Sequence, residues 1–114
     1  MDYPGYRAHL DDLMRSLARQ APGVMASFAK LHRESQAEGA LSVKVKELMA
    51  LAISIAVHCE GCIAYHVHDA LRAGATPQEV AETIGVAVMM GGGPATVYGA
   101  EALEALGQFG ATAP

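Results

Sequence analysis

Several residue types are scarce in this 114-residue chain, and the scarcity of two of them, cysteine and the basic residues, limits the classes of protein to which it can belong. Tryptophan is absent, aromatic residues make up 5% of the sequence, and there are only two cysteines. They are spaced as CxxC, and in a reducing cytosol such a pair is more often catalytic or metal-binding than a structural disulfide. The 8 lysines and arginines form no basic block and are outnumbered by 12 acidic residues. That balance disfavours nucleic acid as the main partner.

Long apolar runs are also missing. The longest, residues 48–57, is interrupted by Ser54 and reaches about half of the roughly 20 residues that a membrane-spanning helix needs. Residues 1–10 carry charges and a Pro4-Gly5 pair in place of an apolar segment, so they do not look like a signal peptide. These features predict a soluble cytoplasmic protein with no membrane partner.

Apolar residues are nevertheless abundant, at 52% of the chain, which is slightly above the usual share for soluble domains. We predict one domain over residues 1–114, and a domain of that length buries only about two-thirds of the surface of its unfolded chain. The surplus of apolar side chains therefore predicts surface that is buried between copies of the chain, in a homo-oligomer.

The order of residues predicts an all-α fold, a compact bundle of about six helices, because Ala, Leu, Met and Glu predominate and strand-like alternation is rare. Thr76, Pro77 and Glu79 form a helix start signal with a capping box. The run G91-G92-G93 matches neither phosphate-binding nor dinucleotide-binding spacing, so it predicts a tight turn between helices. The predicted helices cover residues 6–20, 22–37, 43–57, a segment from the cysteines to 73, 77–90 and 94–106.

The third predicted helix is apolar on every side after Glu47, which predicts burial within the domain or between subunits. Glu47 is the last charge before this run. A partly desolvated carboxylate at that point can exchange a proton with a nearby imidazole. A negative charge in the first turns of a helix is also favoured by the helix dipole, and the residue pattern alone favours this simpler role.

Both cysteines lie in the stretch H58-C59-E60-G61-C62-I63-A64-Y65-H66. On a helix that turns about 100° per residue, Cys59, Cys62 and His66 share an arc of about 60°, whereas His58 and His68 fall outside it. A helix N-terminus and an imidazole both favour the thiolate, and a second thiol can convert an oxidised first thiol into a disulfide. The spacing therefore predicts a two-electron dithiol site.

Zinc binding is an alternative to the dithiol site. Cys59, Cys62 and His66 could be three ligands, with His58 or His32 as a fourth. Structural zinc sites usually draw on two separate ligand pairs, and the chain has no second pair, so we predict no metal and no bound cofactor. The cysteines could also be two unreactive core residues, but the arc that they share with the histidine would then serve no purpose.

The pattern E47-x11-C59-x2-C62-x3-H66, followed by D69-A70-L71-R72-A73-G74-A75-T76-P77-Q78-E79-V80, resembles the alkylhydroperoxidase D-like and carboxymuconolactone decarboxylase superfamily. The resemblance covers about residues 22–106. It implies an all-α fold, assembly into trimers or hexamers, and reduction of organic hydroperoxides with recycling by a thiol reductant protein. It also implies that Cys62 attacks the peroxide, that Cys59 resolves the oxidised thiol, and that His66 and Glu47 relay protons.

The chain departs from the best-known peroxidase pattern at several points. Glu60 places a negative charge beside the thiols, which opposes their ionisation, and Gly61 stands where that pattern has a histidine. The helix dipole alone would favour Cys59 as the attacking thiol. A disulfide reductase, a carboxymuconolactone decarboxylase, which needs no cysteine pair, and a non-enzymatic redox-sensing oligomer therefore remain as alternatives to the peroxidase.

Overall fold

The structure, a computed structural model, describes residues 1–110, and these residues form six helices joined by short connections. No strand occurs among them, which confirms the all-α prediction. Residues 111–114, the end of the predicted domain, lie outside the described residues. The helices are α1 Tyr3–Gln20, α2 Pro22–Gln36, α3 Val43–Ala56, α4 Glu60–Arg72, α5 Pro77–Gly91 and α6 Gly93–Gly110.

The predicted helix ends are largely confirmed because they depend on local hydrogen bonds. Ser42 Oγ accepts from the Val45 N–H at 3.1 Å at the start of α3. At the start of α5, Thr76 Oγ1 accepts from the Glu79 N–H at 3.1 Å, and Glu79 Oε1 accepts from the Thr76 N–H at 2.9 Å. The glycine run turns between α5 and α6 at Gly92, whose φ of 70° is easy only for glycine.

The predicted start of α1 and the predicted end of α6 are wrong. α1 begins three residues earlier than predicted, because Asp2 Oδ1 accepts from the Gly5 N–H at 3.0 Å and Pro4 fits the first turn. α6 continues through Gly107 to Gly110. Its last turns hold Leu106 against the core, so tertiary packing outweighs the helix-ending tendency of the glycine.

The core lies between α3, α4, α5 and α6. Its largest aliphatic side chains are fully buried: Leu51 and Ile55 from α3, Ile63 and Val67 from α4, and Val80 from α5. Burial of each such side chain stabilises the fold by about 1.5–3 kcal/mol. Because α3 and α4 share this core side by side, polar residues on their facing surfaces are brought together.

The outer surface of the bundle is apolar in places. α2 contains no buried residue, and the outward side of α3 exposes Met49 and Ile53. The core of the single chain therefore covers only one face of α3, and burial of the other face between subunits stays a prediction. None of the helices within residues 1–110 combines the length and the apolar character that a transmembrane segment requires.

Candidate functional site

The two cysteines lie where α3 ends and α4 begins. α3 ends in a Schellman turn, in which the Cys59 N–H donates to the Ser54 carbonyl at 3.0 Å and the His58 N–H to the Ile55 carbonyl at 3.2 Å. His58 takes the left-handed position of this turn, with φ 62°. The turn delivers Cys59 to the N-cap of α4 and places Cys62 in the first turn of that helix.

A disulfide joins Cys59 and Cys62, with Cα atoms 5.2 Å apart. The prediction that Cys59 lies inside the helix is wrong, since its φ of −107° and ψ of 96° are extended. Its sulfur instead accepts from the Cys62 N–H at 3.1 Å, one of the helix-terminal donors without an intrahelical partner. The shared arc therefore holds only for Cys62 and His66, which lie four residues apart on one face of α4.

Glu47 and His66 meet between α3 and α4. Glu47 Oε2 lies 2.7 Å from His66 Nδ1, and the glutamate is only 5% exposed. Glu47 shares the inward face of α3 with Leu51 and Ser54, at spacings of four and seven residues, so the helix period aims it at α4. A buried carboxylate requires a polar or charged partner, and the imidazole supplies one. The sequence pattern alone does not specify this contact.

Asp69 belongs to the same cluster, and it is a polar residue that the sequence-based predictions missed. One of its carboxylate oxygens lies within 4.8 Å of both a ring nitrogen of His66 and a carboxylate oxygen of Glu47. Cys62, His66 and Asp69 are spaced four and three residues apart, which places them along one face of α4. On a helix of about 100° per residue, Asp69 lies just outside the arc counted from Cys59, and it joins Cys62 and His66 in one arc only when Cys59 is left out.

The cysteine ligands of the zinc alternative are engaged with each other, because both sulfurs are in the disulfide. The remaining polar groups of the site are engaged as well. Glu47 and His66 are bonded to each other, and Asp69 Oδ1 lies 2.8 Å from His68 Nδ1 and 3.9 Å from Arg7 Nη2. Hydrogen bonds and ion pairs of this kind suit the exchange and storage of protons.

Tyr65 adjoins His66 in sequence, but its hydroxyl points to α1. It donates to Asp11 Oδ1 at 2.7 Å. Burial, and then this hydrogen bond to Asp11, raise the pKa of Tyr65 to about 12. The phenol therefore stays protonated at neutral pH and ties α4 to α1 instead of exchanging protons with the site.

The other histidines lie outside the Glu47–His66 pair. His58 stacks on the Tyr98 ring of α6, with ring centroids 4.6 Å apart and planes 4° apart. His9 and His32 are exposed. A groove of about 600 Å³ lies between α1 and α2, and none of the four predicted catalytic residues lines it.

Comparisons with known proteins agree with this architecture. The family model described as the carboxymuconolactone decarboxylase family matches residues 22–105. An uncharacterised protein of Cupriavidus necator is 34% identical over 88 residues, 77% of this chain and 78% of that protein. A second relative, uncharacterised protein 4 in the cox locus of Paracoccus denitrificans, is 34% identical over 92 residues, 81% of this chain and 83% of the relative.

Two solved structures share the fold. The apo form of lpg0406, a carboxymuconolactone decarboxylase family protein from Legionella pneumophila, is 37% identical and superposes with a TM-score of 0.90 over 94% of this chain and 96% of that chain. A Thermotoga maritima protein is 26% identical, with a TM-score of 0.72 over 87% and 94% of the two chains. The family model spans most of the residues that build the bundle and all four predicted catalytic residues. The chain therefore belongs to the carboxymuconolactone decarboxylase family.

Proposed function

We propose that this protein is a thiol-dependent peroxidase that reduces organic hydroperoxides through Cys59 and Cys62. One observation carries the proposal: a CxxC disulfide lies one helical turn from an imidazole that is hydrogen-bonded to a buried carboxylate. A dithiol supplies two electrons, and the imidazole–carboxylate pair supplies a place for the proton that must move with them. This chemistry requires no bound cofactor.

The oxidative half-reaction begins at Cys62. Its thiolate attacks the terminal oxygen of the hydroperoxide, so that an S–O bond forms, the O–O bond breaks and an alkoxide leaves. The alkoxide takes the proton held on His66 and departs as the alcohol. The Cys59 thiol then attacks the sulfenic acid, forming the disulfide and releasing water. An external dithiol on a reductant protein reduces the disulfide and is itself oxidised, which completes the cycle.

Glu47 would set the proton-bearing edge of His66. When the glutamate is ionised, Nδ1–H donates to it, and Nε2 keeps a free lone pair that can accept the thiol proton. Cys62 is the thiol on the same helical face, one turn away. The Cys59 sulfur accepts from the Cys62 N–H instead, so each cysteine has a neighbour that favours its thiolate, and trapping of the sulfenic acid distinguishes the two orders of attack.

The decisive experiment counts thiols and traps the intermediate. Reduced protein treated with one equivalent of tert-butyl hydroperoxide should lose two thiols per chain, yield one tert-butanol, and regain both thiols with dithiothreitol. With Cys59→Ser, dimedone should label Cys62 after peroxide treatment, whereas Cys62→Ser should give no adduct. Loss of thiols without formation of the alcohol, or an adduct only in Cys62→Ser, would overturn the proposal or its assignment of roles.

The proton relay has its own variants. His66→Gln should lower kcat/KM for the hydroperoxide by about 10²-fold, the lower end of the range for general acid–base residues, and Glu47→Gln should do the same. His32→Gln is the matched control, since His32 is exposed on α2. Equal losses in the variant and the control would mean that the imidazole beside the cysteines is not part of the chemistry.

The name of the matching family favours a second candidate, decarboxylation of a carboxymuconolactone. That reaction needs no cysteine pair, so it should survive alkylation of both thiols with iodoacetamide, whereas peroxide turnover should not.

A redox-sensing oligomer would change its assembly when the disulfide forms or breaks, and it would show no turnover of peroxide. Recycling by a cellular dithiol fits a reducing cytoplasm, which we propose as the place of action.

A further inference from the structure

Asp69 gives His66 a second carboxylate neighbour. One carboxylate oxygen of Asp69 lies within 4.8 Å of a ring nitrogen of His66 and of a carboxylate oxygen of Glu47. The two carboxylates differ in environment, since the Glu47 side chain is 6% exposed and that of Asp69 is 30% exposed. The imidazole is therefore flanked by an interior negative charge and by another that reaches solvent.

The charges around Asp69 are only partly balanced. Arg7 of α1 approaches Asp69 at 3.9 Å and Asp11 at 3.8 Å, so one guanidinium serves two carboxylates. His68 Nδ1 lies 2.8 Å from Asp69 Oδ1, and its ring lies edge-on to Phe109 of α6. Tyr65 of α4, whose ring lies under Arg7, and Glu47 of α3 are the further titratable neighbours of His66 and Asp69.

We propose that Asp69 is a positioning residue of the relay, a carboxylate that stabilises the proton stored on His66 between thiol ionisation and departure of the alkoxide. This inference rests on the proposed peroxidase function. An opposite charge a few ångströms from an imidazole favours its protonated form. Arg7 acts in the opposite sense, because it offsets the charge of Asp69 and repels the imidazolium.

The protonation of His66 can be followed directly in the oxidised protein. Histidine ring signals are recorded by NMR as a function of pH and assigned with His66→Gln. Asp69→Asn should move the titration midpoint of His66 to lower pH. Asp69→Glu should restore it. Glu82→Gln removes an equal charge from the exposed side of α5 and should leave it in place.

Arg7→Gln tests the same electrostatic effect with the opposite sign, and Asp69→Ser, which keeps a small polar side chain, takes the place of Asp69→Asn if that variant does not fold. Loss of the cation should move the His66 midpoint to higher pH. A purely structural role for Asp69 would not produce opposite shifts from the two variants. An unchanged midpoint in Asp69→Asn, or a shift in the same direction in Arg7→Gln, would overturn the inference.

Turnover provides the functional test. Asp69→Asn should lower kcat/KM for tert-butyl hydroperoxide by about tenfold, less than loss of the imidazole itself, and Asp69→Glu should recover most of it. A shifted midpoint with unchanged turnover would overturn the role in the reaction. A wild-type protein that turns over no peroxide would overturn the proposed function. The midpoints would still report whether Asp69 stabilises the proton on His66.

Discussion

At the scale of single residues, Glu101 of α6 adds a further acidic side chain to the surroundings of the cysteines. Its Oε2 atom is buried and has no hydrogen-bond partner among residues 1–110. Burial, and then repulsion from Glu60 and Glu104, raise the pKa of the Glu101 carboxyl above its ordinary value. Glu60 directly follows Cys59, so the charge that opposes thiolate formation is part of a larger acidic group. The acidic side chains of α6 therefore repel Glu60, the acidic residue that follows Cys59.

Glu101→Gln should make the protein more stable at neutral pH. The pKa of the Glu101 carboxyl is higher in the folded state than in the unfolded state. The contribution of this group to the stability of the fold is therefore fully present at a pH below the ordinary pKa range of a carboxyl group. It is lost as pH rises through the folded-state pKa. At pH 7 the ionised carboxylate weakens the fold, and its removal should add roughly 0.5–1 kcal/mol to the free energy of unfolding. Urea unfolding at pH 7 and near pH 4 measures the difference.

The gain from Glu101→Gln should shrink as the pH falls toward 4, since this carboxyl then carries a proton most of the time in both states of the wild type. Glu34→Gln, an exposed change on α2, serves as the control for removal of one negative charge. The same gain at both pH values would contradict an origin in ionisation. It would point to better hydrogen bonding by the new amide.

At the scale of helices, local signals and tertiary contacts differ in how far the sequence reveals them. The Ser42 and Thr76 caps depend on residues within a few positions, so they were predictable. Cysteine is not a usual N-cap residue, so the sequence does not predict that Cys59 caps α4, and its cap bond is visible only in the structure. The Glu47–His66 bond depends on how α3 lies against α4, which spacing within one helix cannot specify.

The turn between α3 and α4 carries a histidine where glycine is usual. His58 occupies the left-handed C′ position, which costs a residue with a Cβ about 1–2 kcal/mol. Stacking on Tyr98 offsets part of this cost by about 0.5–1.5 kcal/mol. His58→Ala keeps the backbone cost and loses the stack. His58→Gly loses both, so it should be more stable than His58→Ala by about 1 kcal/mol.

Urea unfolding of the two His58 variants, each compared with the wild type, measures this difference. Tyr98→Leu is the partner control: it should destabilise the wild type more than it destabilises His58→Gly, because only the wild type has a stack to lose. Equal stabilities for the alanine and glycine variants would show that the turn relaxes out of the left-handed conformation when the ring is removed.

At the scale of the whole molecule, the largest unexplained feature is apolar surface on helices that the core does not cover. Val24, Phe28 and Leu31 of α2 are 70%, 58% and 62% exposed, and their spacing places them on one face. Met25 and Ala26 line the groove on the side of α1, so the exposed face points away from the chain's own bundle. A monomer seldom leaves contiguous apolar surface of this kind in water.

The exposed face of α2 leads us to expect a homo-oligomer, with a mass in solution that is a multiple of 11.9 kDa by light scattering coupled to size exclusion. Phe28→Asp should reduce that mass and leave helicity unchanged, because the side chain contributes little to the core of a single chain. Lys30→Asp places the same carboxylate at a polar position of the same helix and should leave the assembly intact. A wild type that runs at the mass of one chain would contradict the expectation. An apolar α2 face would then have to be tolerated in water, and Phe28→Asp would change neither mass nor stability.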